Sequence, residues 1–535
     1  MNDKIKLLIK NNAFKYCQNK SLKRLKKLMQ TQPEIQKNPD SKKILFNLIY
    51  GMYGHILFWE GGLAKALQLR GHDVKALICG KTLTMCTTEF TIDQVHNEKT
   101  CDLCVDFSKK FLETTGIPYA TYHKYISPKE LDEIKEKVNN MPTKEIPELM
   151  YKDVHIGSLS KNSALRYYKG YLNPDKKEYE QILRKELINA YVSTDIAEKI
   201  VKNEKPDSLV TRHLGYAAWG SFAEYSTHQG VRICSPTKGL DKKSLKFDIF
   251  DMGEVSDSFN RYYNEVRNKK PLSDEEEEEL KTYMYNRTMG SHGDTADYLY
   301  TPGGLNKEKL EFDKYERTYG IFPNVPWDAS LRYANKGFNG VHEWIDETIE
   351  MFKDKPNYQL LIKIHPSELR VMKSENTVLD YINKHYYKLP DNVKIIPPDT
   401  KISPYDLFQH MDIGLVYNGT IGMELSINDV PVVVAGRTHY GEKGFTFDIS
   451  TKKEYKDVVF GNIMKVDEEK KKLAKIYSYF YLVKSFVPYD FVSMNPKKLK
   501  YGWNIESLEE FSEGKNKYLD HICNYIAYNT VYQDW

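Results

Sequence analysis

A glycine-rich stretch directly after an apolar segment is the first candidate for chemistry. Asn418-Gly419-Thr420-Ile421-Gly422 follows "DIGLVY" and begins a segment with helical character. Thr420 is a suitable helix cap, and the glycines let another group approach the backbone. The free N–H groups and the dipole of a helix start suit a nucleotide phosphate, and Glu424 is then placed to accept hydrogen bonds from ribose hydroxyls. The competing interpretation is an ordinary capped helix with an exposed glutamate.

Cationic side chains follow two further apolar segments of the same region. Lys363 and the pair His365-Pro366 end "YQLLIKIHP", where the proline breaks the strand. The loop "GRTHYGEKG" (436–444) carries an arginine, a histidine and a lysine, which suit a phosphate leaving group. We predict one nucleotide-binding site formed by Lys363, His365, Asn418, Gly419, Thr420, Gly422, Glu424, Arg437 and His439.

Four of the seven cysteines lie close together in the N-terminal half. They are Cys79, Cys86, Cys101 and Cys104. In a cytosolic chain disulfides are rare, and the C-x-x-C pair is typical of a tetrahedral zinc site that four thiolates close. We therefore predict a structural zinc ion, with His96 as an alternative ligand to Cys79 and an iron–sulfur cluster as a further possibility. The competing interpretation is that Cys79 is simply buried at a strand end.

Candidate bases also lie in the N-terminal half, after or beside predicted strands. Inverting transfer to a hydroxyl needs a group that removes the proton, and His55, Glu60, His213 and Glu224 are the candidates. A histidine in such a loop is more often a structural residue, and a reaction that retains configuration needs no such base. We retain His55, His213 and Glu224 as candidate catalytic bases.

Two regions of alternating strands and helices must position these residues. Residues 42–79 and 206–236 indicate strand–loop–helix–strand units, and a second set runs from about residue 319 to 435. The predicted segments are a basic N-terminal helix (1–40), a first Rossmann-like domain that binds the acceptor (41–250), a charged insert (251–314), a second Rossmann-like domain (315–455) and a helical tail that returns to the first domain (456–535). "SDEEEEEL" (273–280) indicates a helix start capped by Ser273 or Asp274.

Composition and charge exclude several classes of protein. The chain has 535 residues, 41% hydrophobic and 28% charged, with a net charge of only +4. This balance does not favour nucleic-acid binding, and neither a membrane-spanning segment nor a secretory signal is recognisable. We expect a cytoplasmic protein. Residues 1–32 hold nine Lys or Arg and one acid, Asp3, which allows a peripheral contact with an anionic membrane; a solvated helix packed on the domain is the alternative.

Three motifs resemble the C-terminal half of capsule polysaccharide biosynthesis proteins: "IKIHPSE", "YNGTIGMELSINDVPVVVAGRTHYGEKGFTFD" and "FPNVPWDAS". These proteins are GT-B glycosyltransferases, related in outline to Kdo transferases and sialyltransferase-like enzymes. The resemblance covers residues 316–450 well and 44–104 and 163–168 in outline. It implies an α/β fold with two doubly wound domains facing across a crevice. It also implies that the His-Pro pair and the glycine-rich helix start bind the nucleotide, and a similar cysteine cluster appears in related capsule proteins.

The resulting prediction is a glycosyltransferase that transfers a sugar from a nucleotide-activated donor to a capsule or surface polysaccharide, without a catalytic metal. Its partners are the nucleotide sugar and a glycan or lipid-linked acceptor, at the inner face of the cell membrane. Two alternatives remain open at this point. A nucleotide-sugar 2-epimerase has the same two-domain shape, and a non-catalytic binding protein for glycan assembly retains the fold without the reaction.

Overall fold

The structure is a computed structural model of the chain. It describes residues 3–51, 54–86, 98–168, 177–239, 243–247, 250–251, 254–267, 269, 271–289, 310–325, 327–370, 377–400, 402–461, 465–495 and 500–535. By its internal contacts the chain forms two compact units. Unit 1 comprises residues 1–167, 174–248 and 487–535, and unit 2 contains residues 249–486.

Strands and α-helices alternate along much of the described chain. The strands are β1 Lys43–Asn47, β2 Asp73–Ile78, β3 Tyr119–Thr121, β4 Ser208–Val210, β5 Arg232–Cys234, β6 Pro236–Lys238, β7 Ser244–Phe247, β8 Phe250–Asp251, β9 Glu254–Val255, β10 Arg317–Phe322, β11 Tyr358–Lys363, β12 Val393–Ile396, β13 Ile413–Val416, β14 Val432–Val434, β15 Phe447–Asp448, β16 Val487–Pro488, β17 Val492–Asn495 and β18 Lys500–Trp503. The α-helices are α1 Asp3–Met29, α2 Gly54–Leu69, α3 Glu98–Thr115, α4 Pro128–Asn139, α5 Ile156–Tyr168, α6 Lys177–Glu204, α7 Ala217–His228, α8 Asp257–Arg267, α9 Asp274–Thr288, α10 Val341–Lys353, α11 Val378–His385, α12 Pro404–Phe408, α13 Ile421–Ile427, α14 Lys452–Val459, α15 Glu468–Tyr479 and α16 Lys517–Tyr528.

Unit 1 is built on a five-stranded parallel sheet in the order β3-β2-β1-β4-β5. Its strands are continuous apolar runs because helices cover both faces of such a sheet. Helix α2 ends before Gly71, whose φ of +80° favours glycine and lets the chain turn into β2. The strand order reverses between β1 and β4, so a ligand crevice is expected beyond their carboxyl ends.

The last 49 residues of the chain, 487–535, belong to unit 1. Strand β16 pairs antiparallel with β7, and Trp503, Phe511 and Ile522 join the same buried core as Phe58 of α2. Residues 456–486 instead belong to unit 2, so the segment predicted as one helical tail divides between the two units.

The basic N-terminal helix packs on unit 1 through its leucines. Leu22, Leu25 and Leu28 are buried in the core of unit 1, whereas Lys23 and Lys26 are exposed. These three leucines are therefore not available to contact a lipid surface. In this segment the helix packs on the domain and exposes its lysines to solvent, as in the alternative interpretation. No helix in the described ranges is long and apolar enough to cross a membrane.

Unit 2 contains a six-stranded sheet in the order β12-β11-β10-β13-β14-β15, parallel throughout. The order reverses between β10 and β13, and the carboxyl ends of these strands and of β11 lie side by side. The α/β class with doubly wound sheets was predicted from the sequence and is confirmed in each unit.

Helices α8 and α9 of the segment predicted as a charged insert pack into the core of unit 2. Phe259 and Tyr263 of α8 and Leu280 of α9 lie in one buried cluster with Tyr477 and Phe480. Ser273 caps α9 as predicted, with its Oγ accepting a hydrogen bond from the N–H of Glu276 at 3.2 Å. The cluster fixes α9 beside the carboxyl edge of the sheet, so residues from the insert reach the site.

Candidate functional site

A cavity of about 370 Å³ lies in unit 2 at the point where the strand order reverses. Three strands supply its floor: Pro323 and Asn324 follow β10, Lys363–Pro366 end β11, and Asn418–Ile421 follow β13. Of the residues predicted to bind the nucleotide, the structure places Lys363, His365, Asn418, Gly419, Thr420, Glu424 and His439 around this one cavity. Gly422 and Arg437 are not among the residues that line it.

Lys363 is a buried cation at the end of β11. Only 4% of its surface is exposed, and its Nζ donates to the carbonyl oxygen of Pro397 and to Thr400 Oγ1, each at 3.2 Å. Burial lowers the pKa of this lysine to about 8. The carboxylate of Asp399 opposes this shift, but both hydrogen-bond acceptors of Nζ are neutral, so an anionic ligand in the cavity would further stabilise the charged ammonium.

His365 presents a defined tautomer to the cavity. Its Nδ1 accepts a hydrogen bond from the N–H of Ser367 at 3.1 Å, so in the neutral ring the proton is on Nε2. Burial lowers the pKa of His365 to about 4; Asp328 opposes this shift and Lys363 adds to it. At neutral pH the ring is therefore uncharged, and Nε2–H is a hydrogen-bond donor for a phosphate or sugar oxygen.

The glycine-rich helix start differs from the prediction in two ways. Thr420 has helical dihedral angles and makes no side-chain capping bond, so the predicted cap is wrong, and α13 has only 7 residues. A Cβ at Gly422 would lie 2.1 Å from Tyr440 Oη, so this glycine makes room for a tyrosine and not for a phosphate. At Gly419 the nearest atom to a Cβ would be 3.6 Å away, and this glycine lines the cavity. Close approach of a ligand to the backbone is thus possible at Gly419.

Glu424 is held by two residues that the sequence did not single out. It is 1% exposed; its Oε1 lies 2.8 Å from Arg287 Nε, and its Oε2 accepts from Tyr405 Oη at 2.7 Å. Arg287 Nε also lies 3.1 Å from Tyr405 Oη. Glu424 is therefore a buried partner in an ion pair, and not the exposed glutamate of the competing interpretation. No local signal identified Arg287, because its helix belongs to the segment predicted to be an insert.

The loop after β14 contributes one of its predicted residues. His439 is buried, stacks on Tyr481 at 4.0 Å between ring centroids, and lines the cavity. Arg437 is exposed, and its N–H donates to the carbonyl oxygen of Ala334 at 2.7 Å. The backbone of Arg437 still supports the site, because its carbonyl oxygen accepts from Asn418 Nδ2 at 2.5 Å.

A second cavity, of about 260 Å³, lies in unit 1 and is lined by Cys79, Cys86, Cys101 and Cys104. The Cys79 sulfur accepts backbone N–H bonds from residues 81, 82 and 83, and burial raises the pKa of its thiol. None of the seven cysteines, all within the described residues, forms a disulfide bond. Among the described residues, no three Cys, His, Asp or Glu side chains are arranged to hold a metal ion. The four sulfurs share a cavity without forming a coordination sphere, and His96 lies outside the described residues.

The candidate bases occupy different environments. His55 lies in α2, and its side chain is outside the described residues. His213 has a φ of +57° and is surrounded by the rings of Tyr50, Tyr216 and Trp219. Desolvation among these rings lowers the pKa of His213 to about 3, and the positive charges of Arg212 and Arg166 add to the shift, so the ring is neutral at pH 7.

Glu224 and Glu60 are buried and already engaged. Glu224 Oε1 accepts from the N–H of His155 at 3.0 Å and lies 2.5 Å from the same residue's Nδ1, a partner that the sequence did not predict. Glu60 pairs with Arg212, whose guanidinium lies 5.7 Å from the Trp59 ring centroid. Neither carboxylate has the exposure expected of a base that meets an incoming hydroxyl.

Comparison with known proteins extends the resemblance found in the sequence. Residues 259–467 match the family model described as "Capsule polysaccharide biosynthesis protein". The matched region is less than half of the chain. The match begins in α8, so the family region includes α9 and Arg287 as well as the motifs after β11 and β13. No curated protein matches the chain.

Solved structures show distant likeness. The Thermosulfurimonas dismutans KpsC, a beta Kdo 2,4 transferase, is 14% identical over 56% of this chain and 85% of its own, with a TM-score of 0.35. The glycosyltransferase SnogD from Streptomyces nogalater is 12% identical over 83% of this chain and 95% of its own, with a TM-score of 0.22. A UDP-N-acetylglucosamine 2-epimerase is 10% identical over 84% of this chain and 95% of its own, with a TM-score of 0.23. Scores this low carry no functional argument.

Proposed function

We propose that the protein is a glycosyltransferase of capsule or surface polysaccharide synthesis whose nucleotide-sugar donor binds in the cavity of unit 2. One observation carries the proposal: a buried lysine, a neutral histidine with a defined donor nitrogen and an open glycine backbone meet where the strand order reverses. Doubly wound sheets bind nucleotides at this position. The match of residues 259–467 to the capsule polysaccharide biosynthesis family model supports the same class of reaction.

The proposed chemistry assigns a role to each group. Lys363 offsets the charge of the donor phosphates, His365 donates from Nε2 to a phosphate oxygen, and Gly419 lets the phosphate approach the backbone. When the bond between the anomeric carbon and the phosphate oxygen breaks, charge grows on the leaving phosphate, and these donors stabilise it. The acceptor hydroxyl oxygen forms the new bond to the anomeric carbon, the nucleotide leaves with the electron pair of the broken bond, and the hydroxyl proton passes to water.

The proposal is tested by replacing His365 with alanine. The variant loses one donor to a charged oxygen, a bond that contributes about 1.5–3 kcal/mol, so affinity should fall roughly ten- to hundredfold. Calorimetric titration with a panel of nucleotides and nucleotide sugars measures it, beside the melting temperature of each protein. His385→Ala, an exposed histidine outside the cavity, is the matched control.

Two outcomes would count against this proposal. Equal affinity of the parent and of His365→Ala would remove His365 from the site, and a parent that binds no nucleotide would remove the function. Turnover of the sugar nucleotide without any acceptor would instead identify an epimerase.

We further propose that the reaction takes place at the cytoplasmic face of the membrane, with α1 in electrostatic contact with anionic lipid. Lys20, Lys23, Arg24, Lys26 and Lys27 are exposed on this helix, and each cation near such a surface contributes on the order of 1 kcal/mol. Because the leucines are buried, the contact would depend strongly on salt. Co-sedimentation of the full chain with anionic vesicles at low and high salt is the measurement that decides it.

We also propose that the cysteine cavity of unit 1 holds a structural zinc ion. The proposal is supported by the four thiols, which line one cavity; zinc would draw their sulfurs together into a tetrahedral site. Elemental analysis should then give about one zinc per chain. Cys101→Ser should lose the metal and destabilise unit 1 by several kcal/mol, whereas Cys234→Ser, outside the cavity, should keep it. Metal-free protein that melts like the purified parent contradicts the proposal.

A further inference from the structure

The cavity of unit 2 contains an electrostatic conflict if it binds a phosphate. Two carboxylates line it, Asp328 and Glu424, beside the cations Lys363 and Arg287. Glu424 is almost fully buried, at 1% exposure, so water does little to screen its charge. A phosphate placed beside Gly419 and His365 would share the cavity with this carboxylate. Binding therefore requires that the charge of Glu424 be balanced locally.

Arg287 provides that balance. Its Nε lies 2.8 Å from Glu424 Oε1, and the pair is closed by Tyr405, whose Oη contacts both groups at 3.1 and 2.7 Å. The Arg287 side chain is also mostly buried, so the pair has little screening from solvent. A buried carboxylate that keeps its partner presents no net charge to the cavity, whereas one that loses it does.

We infer that Arg287, supplied by helix α9, is a charge-compensating residue of the donor site: it neutralises Glu424 so that the cavity accepts the phosphates of a nucleotide. This inference rests on the proposed function. It goes beyond it by assigning a role to a residue from the segment between the two predicted Rossmann-like domains. It also replaces direct reading of ribose by Glu424 with a role in the electrostatics of the cavity.

A set of three variants separates charge compensation from direct contact and from structural support. The probes are CMP, UDP, GDP and inorganic phosphate, titrated by calorimetry at pH 7, where Lys363 is mostly charged, into the full chain. Arg287→Gln should weaken binding of the nucleotide that the parent prefers by about tenfold or more, because the carboxylate is left uncompensated. Glu424→Gln should bind within about threefold of the parent, since the remaining arginine is attractive to phosphate.

The double variant Arg287→Gln/Glu424→Gln decides the inference. It should recover the affinity lost by Arg287→Gln to within about threefold of Glu424→Gln, a strong coupling between the two sites. Lys281→Gln is the matched control: it removes one positive charge from the same helix at an exposed position outside the cavity. Melting temperatures of all variants are measured in parallel, so that loss of folding is not mistaken for loss of binding.

Each result has one meaning. Recovery of affinity in the double variant supports the inference when Arg287→Gln melts like the parent, because the lost affinity then reflects charge and not folding. An affinity loss that only accompanies a lower melting temperature of Arg287→Gln overturns the inference, because it shows structural support. A parent that binds the nucleotide while Arg287→Gln binds equally well overturns it, and so does a double variant that stays as weak as Arg287→Gln, which would show direct contact with phosphate. A parent that binds none of the probes defeats the proposed function and the inference with it.

Discussion

Replacing Arg212 with methionine is expected to destabilise unit 1 by about 3–5 kcal/mol at neutral pH. Arg212 follows β4 and pairs with Glu60, which is 1% exposed. Methionine fills much of the same volume beside Trp59 but offers no charge, so Glu60 remains buried without a partner. The measurement is urea unfolding, with hydrogen exchange of peptides from α2 to assign the loss to unit 1, because a chain of two units need not unfold in one step.

The pH dependence of this loss follows from Glu60. Burial raises the pKa of this carboxyl even with Arg212 present, and removal of Arg212 takes away a favourable interaction with the charged form. A carboxyl whose pKa is higher in the folded state than in the unfolded chain stabilises the fold at pH values below its unfolded pKa, about 4.3. This stabilisation is lost as the pH rises through the folded pKa. The penalty of Arg212→Met should therefore grow from acidic to neutral pH.

The control for this prediction is Arg212→Met with Glu60→Gln. Glutamine carries no charge to bury, so the double variant should regain a substantial part of the lost stability. Exposed ion pairs contribute at most about 1 kcal/mol to stability. If Arg212→Met loses less than this, Glu60 and Arg212 behave as a solvated pair and the prediction is wrong.

Much of the fold of each unit could be predicted because its signals are local. The apolar run 413–417 was predicted as a strand and is observed as Ile413–Val416, and the run 431–435 is observed as Val432–Val434. Gly71 and Ser273 mark a helix end and a helix start through backbone conformation and capping, which depend on a few neighbouring residues. Strand ends in a parallel sheet lie at one edge, so residues such as His365 and Gly419 could be grouped from the sequence alone.

The rest depended on contacts between residues far apart in the chain. Arg287 and Glu424 are separated by more than a hundred positions, and nothing in the sequence near Arg287 distinguishes it from the other charges of a solvated helix. The same holds for Tyr440, whose hydroxyl explains Gly422, and for residues 487–535, which complete the core of unit 1. Periodicity predicts that a residue is buried but not which partner buries it.

The two glycines of the motif should respond in opposite ways when each is changed to valine. At Gly422 a Cβ would meet Tyr440 Oη at 2.1 Å and Cζ at 2.8 Å, and this tyrosine is fully buried. Its hydroxyl also donates to the carbonyl oxygen of Gly419 at 2.6 Å, so it cannot move without losing that bond. Gly422→Val should therefore destabilise unit 2 by about 1–3 kcal/mol through overpacking. Because the tyrosine must be displaced, the value should lie near the top of that range.

Gly419→Val tests the other half of the motif. The nearest atom to its Cβ would be Ile421 Cγ2 at 3.6 Å, and the residue has no positive φ, so valine fits the folded chain. Its branched side chain would instead occupy the part of the cavity where a phosphate would approach the backbone. Melting should change little, while nucleotide affinity falls roughly tenfold or more, a loss of at least about 1.4 kcal/mol. Gly419→Ala should be intermediate in affinity and equal to the parent in melting temperature.

Calorimetry and thermal melting on the same preparations give the nucleotide affinity and the melting temperature of each variant. If Gly419→Val binds nucleotide like the parent, or if Gly422→Val melts like it, the division of the motif into a ligand-facing glycine and a packing glycine is wrong.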